Sequence, residues 1–436
     1  MKNIKLSLLL GAVFSLCACN TKVSSVKGAT LLREPTKVSE GYYSSDEDYI
    51  AFKQKFKAFA NKLSESVIKS EYEDGKNIAF SPMSLEMCLG LAICASNGTT
   101  RQELLNAFDI DFETFNANYS NLYKEFNFEK QYNSGSKMFQ IMMSNSIWID
   151  DEIKLLDSGL DSLRDNYYCY SYNTDFDTDD ANDAIAFFIN QQTNGLIQPN
   201  LKLDPRTVFA LINTLYLKDI WNAAGTDLYF SDNPEHFFTN SDKTKSSNKL
   251  LKGYYEDGRA ISNDDYSSFF TYTLNGFKIY FVKPNEGKDI KTAFNKETMS
   301  YVLDSHSYVY VDEEKKEQYE TRCIFPEFKA ECDLDLKSTL SDNFNVKQLF
   351  DRYNCDFSNL SEEAAYCEEL KQISKLEVNK KGIEGAAVTY LEAAGTAAPG
   401  QYTIVNEDFV VDKEFGFILT YRDSVVFSGV ITNIDK

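Results

Sequence analysis

"KKGIEGAAVTYLEAAGTAAPG" (residues 380–400) is a run of small and β-branched residues placed just before a final block of strands. When "IEGAAVTYLE" (383–392) is extended, alternate side chains fall on opposite faces. One face carries Ile383, Gly385, Ala387, Thr389 and Leu391, and the other carries Glu384, Ala386, Val388, Tyr390 and Glu392. The first face has no charge and little bulk, so it can slide over an existing core while both glutamates stay in water. Gly395, Pro399 and Gly400 follow, and the stretch through "APGQYT" has the composition of an exposed loop. A loop patterned like a buried strand implies two conformations for one segment.

The rest of the chain is large enough to offer such a strand a sheet. Its 436 residues are 43% hydrophobic and 14% aromatic, enough for one large core or two ordinary ones. A net charge of -21, spread along the sequence, repels phosphate backbones and excludes nucleic acid as a partner. Residues 1–18 read as an export signal: Lys2 and Lys5 precede the apolar "LSLLLGAVFSL" and then "LCAC". In "LCAC", Leu16 and Ala18 precede Cys19 in a pattern that resembles the bacterial lipobox. That makes Cys19 the expected site of lipidation and the membrane anchor. The implied location is outside the cytoplasm, on the bacterial cell envelope at the outer membrane or cell surface. Residues 19–47, polar and without periodicity, are expected to be anchor and tether, and 48–436 the folded domain.

Within that domain, Phe52, Phe56, Phe59, Leu63 and Val67 recur at helical spacing. In "NIAFSPMSLEMCLGLAICASNG", Ser81 is placed to cap a helix, Pro82 to open it and Gly98 to stop it. Its stripe of Met83, Met87, Leu91 and Cys94 reads as core. "ANDAIAFFINQQTNG" has helical spacing, whereas "NSIWID", "VFALINTLYL", "FKIYFVKPNEG" and "RCIFPEF" are strand-like. "FGFILTYRDSVVFSGVITNI" reads as a hairpin turning at Arg422, Asp423 and Ser424. Helices dominate early and strands late without βαβ alternation, which gives an α+β class.

Little in the chain suggests catalysis. A nucleophile–histidine hydrolase would have to recruit His236 or His306, the only two histidines, and neither lies in a catalytic context. No G-x-S-x-G, HExxH, Walker loop or G-x-G-x-x-G occurs, so no enzyme activity, metal or cofactor is expected. "DFDTDDAND" puts Asp175, Asp177, Asp179 and Asp180 close together. It lacks the glycine and terminal glutamate of a calcium loop, and reads as acid at a helix start. Nine cysteines less Cys17 and Cys19 leave seven, with no CxxC, which argues against a disulfide framework.

From about Asp48 to the end, the sequence resembles the serpin family. The likeness runs through "NIAFSPMSLEMCLGLAICASNGTTRQELLNAF", "TVFALINTLYLKDIW", "FVKPNEG", "FPEFKAECDLDLKSTL", "LFDRYNCDFSNLSEE", "VNKKGIEGAAVTYLEA" and "VDKEFGFIL…VVFSGVI", in order. The resemblance implies a fold of about three β-sheets with eight to nine helices and an exposed reactive-centre loop, here about 382–408. It implies an irreversible suicide-substrate inhibitor: a serine protease cleaves the loop, and insertion of the freed segment into the central sheet traps the acyl-enzyme. Cysteine proteases are a second class of target, and the inhibitor is expected to be a monomer.

Counting from the hinge glycine, Gly382, the resemblance places the reactive-site bond at Thr396–Ala397. The long segment before "VDKEF" leaves Ala394, Ala398 and Tyr402 as rivals. Nothing basic lies between Lys381 and Lys413, which suits elastase-like or subtilisin-like targets. The region that opens to admit the loop corresponds to Ser81, Ser84, Asn213, Trp221 and Gln372. Four positions depart from the family pattern: Lys380 stands where glutamate is usual, Ile383 for Thr or Ser, Gly385 for alanine, and Gln372 for histidine. Two alternatives therefore stay open, a non-inhibitory binding protein of the same fold and an adhesive surface lipoprotein.

Overall fold

The computed structural model describes residues 26–38, 41–131, 137–205, 207–221, 229–230, 236–247, 250–255, 257–306, 311–312, 314–367, 370–383 and 403–435. Among them are nine α-helices, three large β-sheets and a two-stranded pair, the α+β arrangement expected. Helix α1 (Glu47–Glu71) is capped by Asp46, whose carboxylate accepts from the amides of Asp48 and Tyr49. Phe52, Phe56, Phe59, Leu63 and Val67 are all buried along one face of α1. Helix α2 (Pro82–Ala95) starts as its sequence predicts: the Ser81 hydroxyl accepts from the Ser84 amide at 3.1 Å and donates to the Val426 carbonyl at 2.7 Å. Met83, Met87, Leu91 and Cys94 are buried.

Gly98 does not end that helix. Helix α2 stops at Ala95, and Gly98, at φ +50°, opens α3 (Gly98–Phe108) behind the cap Asn97. A left-handed glycine suits a helix end and a sharp entry into a new helix equally well. Helices α4 (Phe112–Glu125), α5 (Asp157–Tyr167) and α6 (Asp179–Gln192) follow, with Asp179 and Asp180 in the first turn of α6.

The largest sheet has eight strands: β1 (Thr30–Arg33), β2 (Phe128–Gln131), β3 (Lys137–Asp150), β4 (Cys169–Thr174), β5 (Phe209–Ile220), β6 (Phe328–Asp335), β7 (Lys371–Asn379) and β8 (Gly382–Ile383). Their order is β1-β4-β3-β5-β8-β7-β6, with β2 also on β3. Helix α2 packs on β5 from one side. On the other side Phe188 of α6 meets Trp148 and Tyr172, which themselves stack at 4.4 Å. Part of the expected tether is thus strand: Thr30–Arg33 pairs antiparallel with β4. Without it β4 would be an open edge, and Val26 and Leu31 supply apolar contacts to the α6 cluster.

A six-stranded sheet contains the predicted hairpin, Phe415–Tyr421 with Ser424–Ile431, and ends in Ile78–Phe80 beside it. The hairpin's turn residues Arg422 and Asp423 have φ 48° and 68°, the two-residue turn whose twist matches antiparallel strands. In the third sheet Thr403–Val410 runs parallel to Glu317–Pro326.

Candidate functional site: the hinge and the strands that flank it

The feature that organises this end of the molecule is the two-residue strand β8. It lies between β5 and β7 and is antiparallel to both. Gly382 pairs with Ile220 and Asn379, and Ile383 with Asp219 and Val378. Only glycine fits at 382. Its φ is +145°, and a Cβ there would lie 2.0 Å from the Asp219 carbonyl oxygen and 2.7 Å from the Ile220 Cα. Ile383 is fully buried on the face shared with Val378.

The turn leading into β8 is held from three sides. Glu327 accepts from the Lys380 amide at 2.5 Å, and the Asn379 side chain accepts from the Lys381 amide at 2.8 Å. The Trp221 indole donates to the Asn379 carbonyl at 2.7 Å and packs edge-on against Phe325. Lys380, unusual at this position by its charge, is thus placed by a carboxylate that meets its backbone. Behind the hinge, the buried Asp219 carboxylate accepts from the Asn275 amide at 2.9 Å, the Asn275 side chain at 2.8 Å and the Ile220 amide at 2.9 Å. Burial raises the Asp219 carboxyl above its ordinary range, and these donors pull against that shift.

A second polar group lies further along β5 and β7. Gln372 accepts from the Ser81 amide at 3.0 Å and donates to the Ser81 carbonyl at 2.8 Å, a two-point clasp between β7 and the start of α2. The Ser84 hydroxyl donates to the Asn213 carbonyl at 3.4 Å. The Asn213 amide donates to Asn145 at 2.8 Å, and Asn145 in turn bonds the Tyr119 hydroxyl and the Tyr167 carbonyl. The Asn213 Oδ1 is buried without a hydrogen-bond partner among the described residues. Over the outer face, a groove of about 490 Å³ separates Gly195–Pro199 from Glu331, Asp333 and Lys375. Leu196 of this segment lines a small cavity together with Leu215 and Leu217 of β5 and Leu376 of β7.

The structure therefore gathers Gly382, Ile383 and Trp221 at one end of the β5/β7 boundary, and Ser81, Ser84, Asn213 and Gln372 further along it. Gly385, Ala387, Thr389, Leu391, Thr396 and Ala397, with the rivals Ala394, Ala398 and Tyr402, lie outside the described residues, as does Cys19. The sequence reading missed Asp219, Glu327 and Asn145. Asp219 left a trace, a carboxylate beside Lys218 in the otherwise apolar "LYLKDIW".

A family model described as "Serpin (serine protease inhibitor)" matches residues 54–434. Among curated relatives, Serpin A3-5 of Bos taurus is 26% identical over 371 residues, covering 82% of this chain and 84% of that protein. Alpha-1-antiproteinase of Callosciurus caniceps is 26% identical over 367 residues, covering 82% and 83%. Among solved structures, the thermophilic serpin tengpin in its native state superposes with a TM-score of 0.71 at 19% identity, covering 93% of this chain and all of that one. Thyroxine-binding globulin in complex with thyroxine gives a TM-score of 0.70 at 19% identity, covering 88% and 99%.

Proposed function

The chain belongs to the serpin family, and from that premise we propose that it is a suicide-substrate inhibitor of serine proteases, with cysteine proteases as a second class of target. The observation that carries this reading is the register of β8. Continued past Ile383, the same antiparallel pairing brings Gly385 between Leu217 and Leu376, Ala387 between Leu215 and Ser374, and Thr389 between Asn213 and Gln372. Gly385 meets two leucines that are already buried, and Ala387 meets one buried leucine and the buried Ser374. The one polar residue among Gly385, Ala387 and Thr389 meets two polar ones.

In this reading the protease serine attacks the Thr396 carbonyl, the amine of Ala397 leaves, and an ester joins the protease to Thr396. The freed segment extends β8 before water hydrolyses the ester, and the protease is carried with it. About ten added ladder hydrogen bonds at about 0.5–1.5 kcal/mol each supply on the order of 5–15 kcal/mol, comparable with the stability of a domain. The loop chemistry favours elastase-like or subtilisin-like enzymes. Cys19 is proposed as the lipid anchor that holds the inhibitor on the cell envelope, outside the cytoplasm.

Incubation with elastase, subtilisin and chymotrypsin, followed by a denaturing gel, tests the reading. A conjugate that survives denaturation supports it. Clean cleavage without conjugate with every enzyme would instead favour the non-inhibitory reading.

A further inference from the structure

Seven cysteines fall within the described residues, and five of them, Cys88, Cys94, Cys169, Cys323 and Cys332, are buried. Cys355 and Cys367 are the two that keep partial exposure, and the fold brings them together although eleven residues separate them. The Cys355 amide bonds the Asp351 carbonyl, and the Cys367 amide bonds the Leu349 carbonyl, both at 2.9 Å. Positions 355 and 367 are therefore tied to carbonyls only two residues apart. The Cys367 backbone also lies within hydrogen-bonding reach of the Cys355 sulfur. The pair sits in a segment docked on α3 and its cap: the Asp356 amide donates to the Thr100 hydroxyl at 3.0 Å, and the Asn97 amide to the Asp356 carbonyl at 2.9 Å.

We propose that Cys355 and Cys367 are a redox-responsive dithiol that closes to an intrachain disulfide by exchange with a small disulfide such as oxidised glutathione. The Cys355 thiolate attacks one sulfur of the small disulfide and expels a thiolate, leaving a mixed disulfide. The Cys367 thiolate then attacks the Cys355 sulfur and expels the second thiolate. Two protein thiols are oxidised, and one small disulfide is reduced to two thiols that take up the two protons. The ring so closed ends just before β7, at the end of that strand remote from the hinge, so it leaves the β8 end of the sheet untouched. Burial pushes the Cys355 thiol up to about 11 and the Cys367 thiol higher still, so closure is slow at neutral pH and quickens as the pH rises. The exported location proposed above is where such a pair meets small disulfides.

The test is to incubate the full chain with oxidised glutathione in mildly alkaline buffer and map its cysteines by non-reducing digestion and mass spectrometry. The expected result is a peptide joined through Cys355 and Cys367, two hydrogens lighter than its reduced form and reopened by dithiothreitol, while the five buried thiols stay unmodified. Cys355→Ser should lose the link. Because the map of the unaltered chain decides the question, a variant that fails to fold does not blunt the test. Separate glutathione adducts on the two cysteines, no change at either, or a link from Cys367 to the nearby Cys88 would overturn the proposal.

Discussion

Gly382 presses its α-carbon against the backbone of Asp219 so closely that a single methyl group would sit 2.0 Å from the Asp219 carbonyl oxygen. The hinge is therefore seated in the sheet by backbone contact, and its neighbour Ile383 enters the core as a consequence.

Gly382→Val should unseat β8. A non-glycine residue at that φ costs about 1–3 kcal/mol before any clash is counted, which corresponds to roughly a 5- to 150-fold loss of the seated form. In assays with a trapped protease the ratio of conjugate to cleaved inhibitor should fall by at least the lower factor. An unchanged ratio would show that trapping does not depend on this seat.

Thr389→Val should weaken the inserted form more than the uncut one. In the proposed inserted form, the β8 register continued past Ile383 would bring Thr389 opposite Asn213, whose Oδ1 is buried and without a partner among the described residues. Removing the Thr389 hydroxyl should lower the stability gained on cleavage by about 1–3 kcal/mol, while Thr389→Ser keeps it. Denaturant midpoints of cut and uncut protein measure the difference, and equal gains in all three proteins would refute the register.

Gln372→Leu should destabilise the uncut protein. The substitution leaves the buried Ser81 amide without its Gln372 acceptor, at about 1–3 kcal/mol, and strips the Ser81 carbonyl of one of its two donors, the Leu85 amide at 3.3 Å remaining. Gln372→His, which also offers a donor and an acceptor, should recover part of the loss in urea titrations.

His306 sets a pH dependence. Burial lowers its pKa from 6.5 to about 4, so the fold holds it neutral while the unfolded chain protonates it. Stability is then full above pH 6.5 and falls as pH drops toward 4, by on the order of 3 kcal/mol. His306→Gln, which can still bond Ser268, should flatten that part of the profile relative to the unaltered protein. Parallel profiles for the two proteins would contradict it.

The sequence made the local rules legible: the Ser81–Pro82 helix start, the hairpin turn at Arg422 and Asp423, and the buried face of α1. What stayed hidden depends on partners far along the chain. Only the family resemblance singles out Gln372 in the sequence, and its bond to Ser81, 291 positions earlier, is written nowhere in its neighbours. Asp219 reads as a surface charge until the Asn275 amides reach it. Thr30–Arg33 looks like tether because its strand partner, β4, lies some 140 residues on. Gly98 misleads for a different reason, since a left-handed glycine ends one helix as readily as it begins another.

The central claim is that cutting the loop releases a strand the sheet is built to accept. Its most direct test is thermal melting, followed by circular dichroism, of the intact protein and of the protein nicked at Thr396–Ala397. The account predicts a markedly higher melting temperature after the nick, since the added ladder bonds amount to several kcal/mol. A melting temperature that stays the same or falls would contradict it.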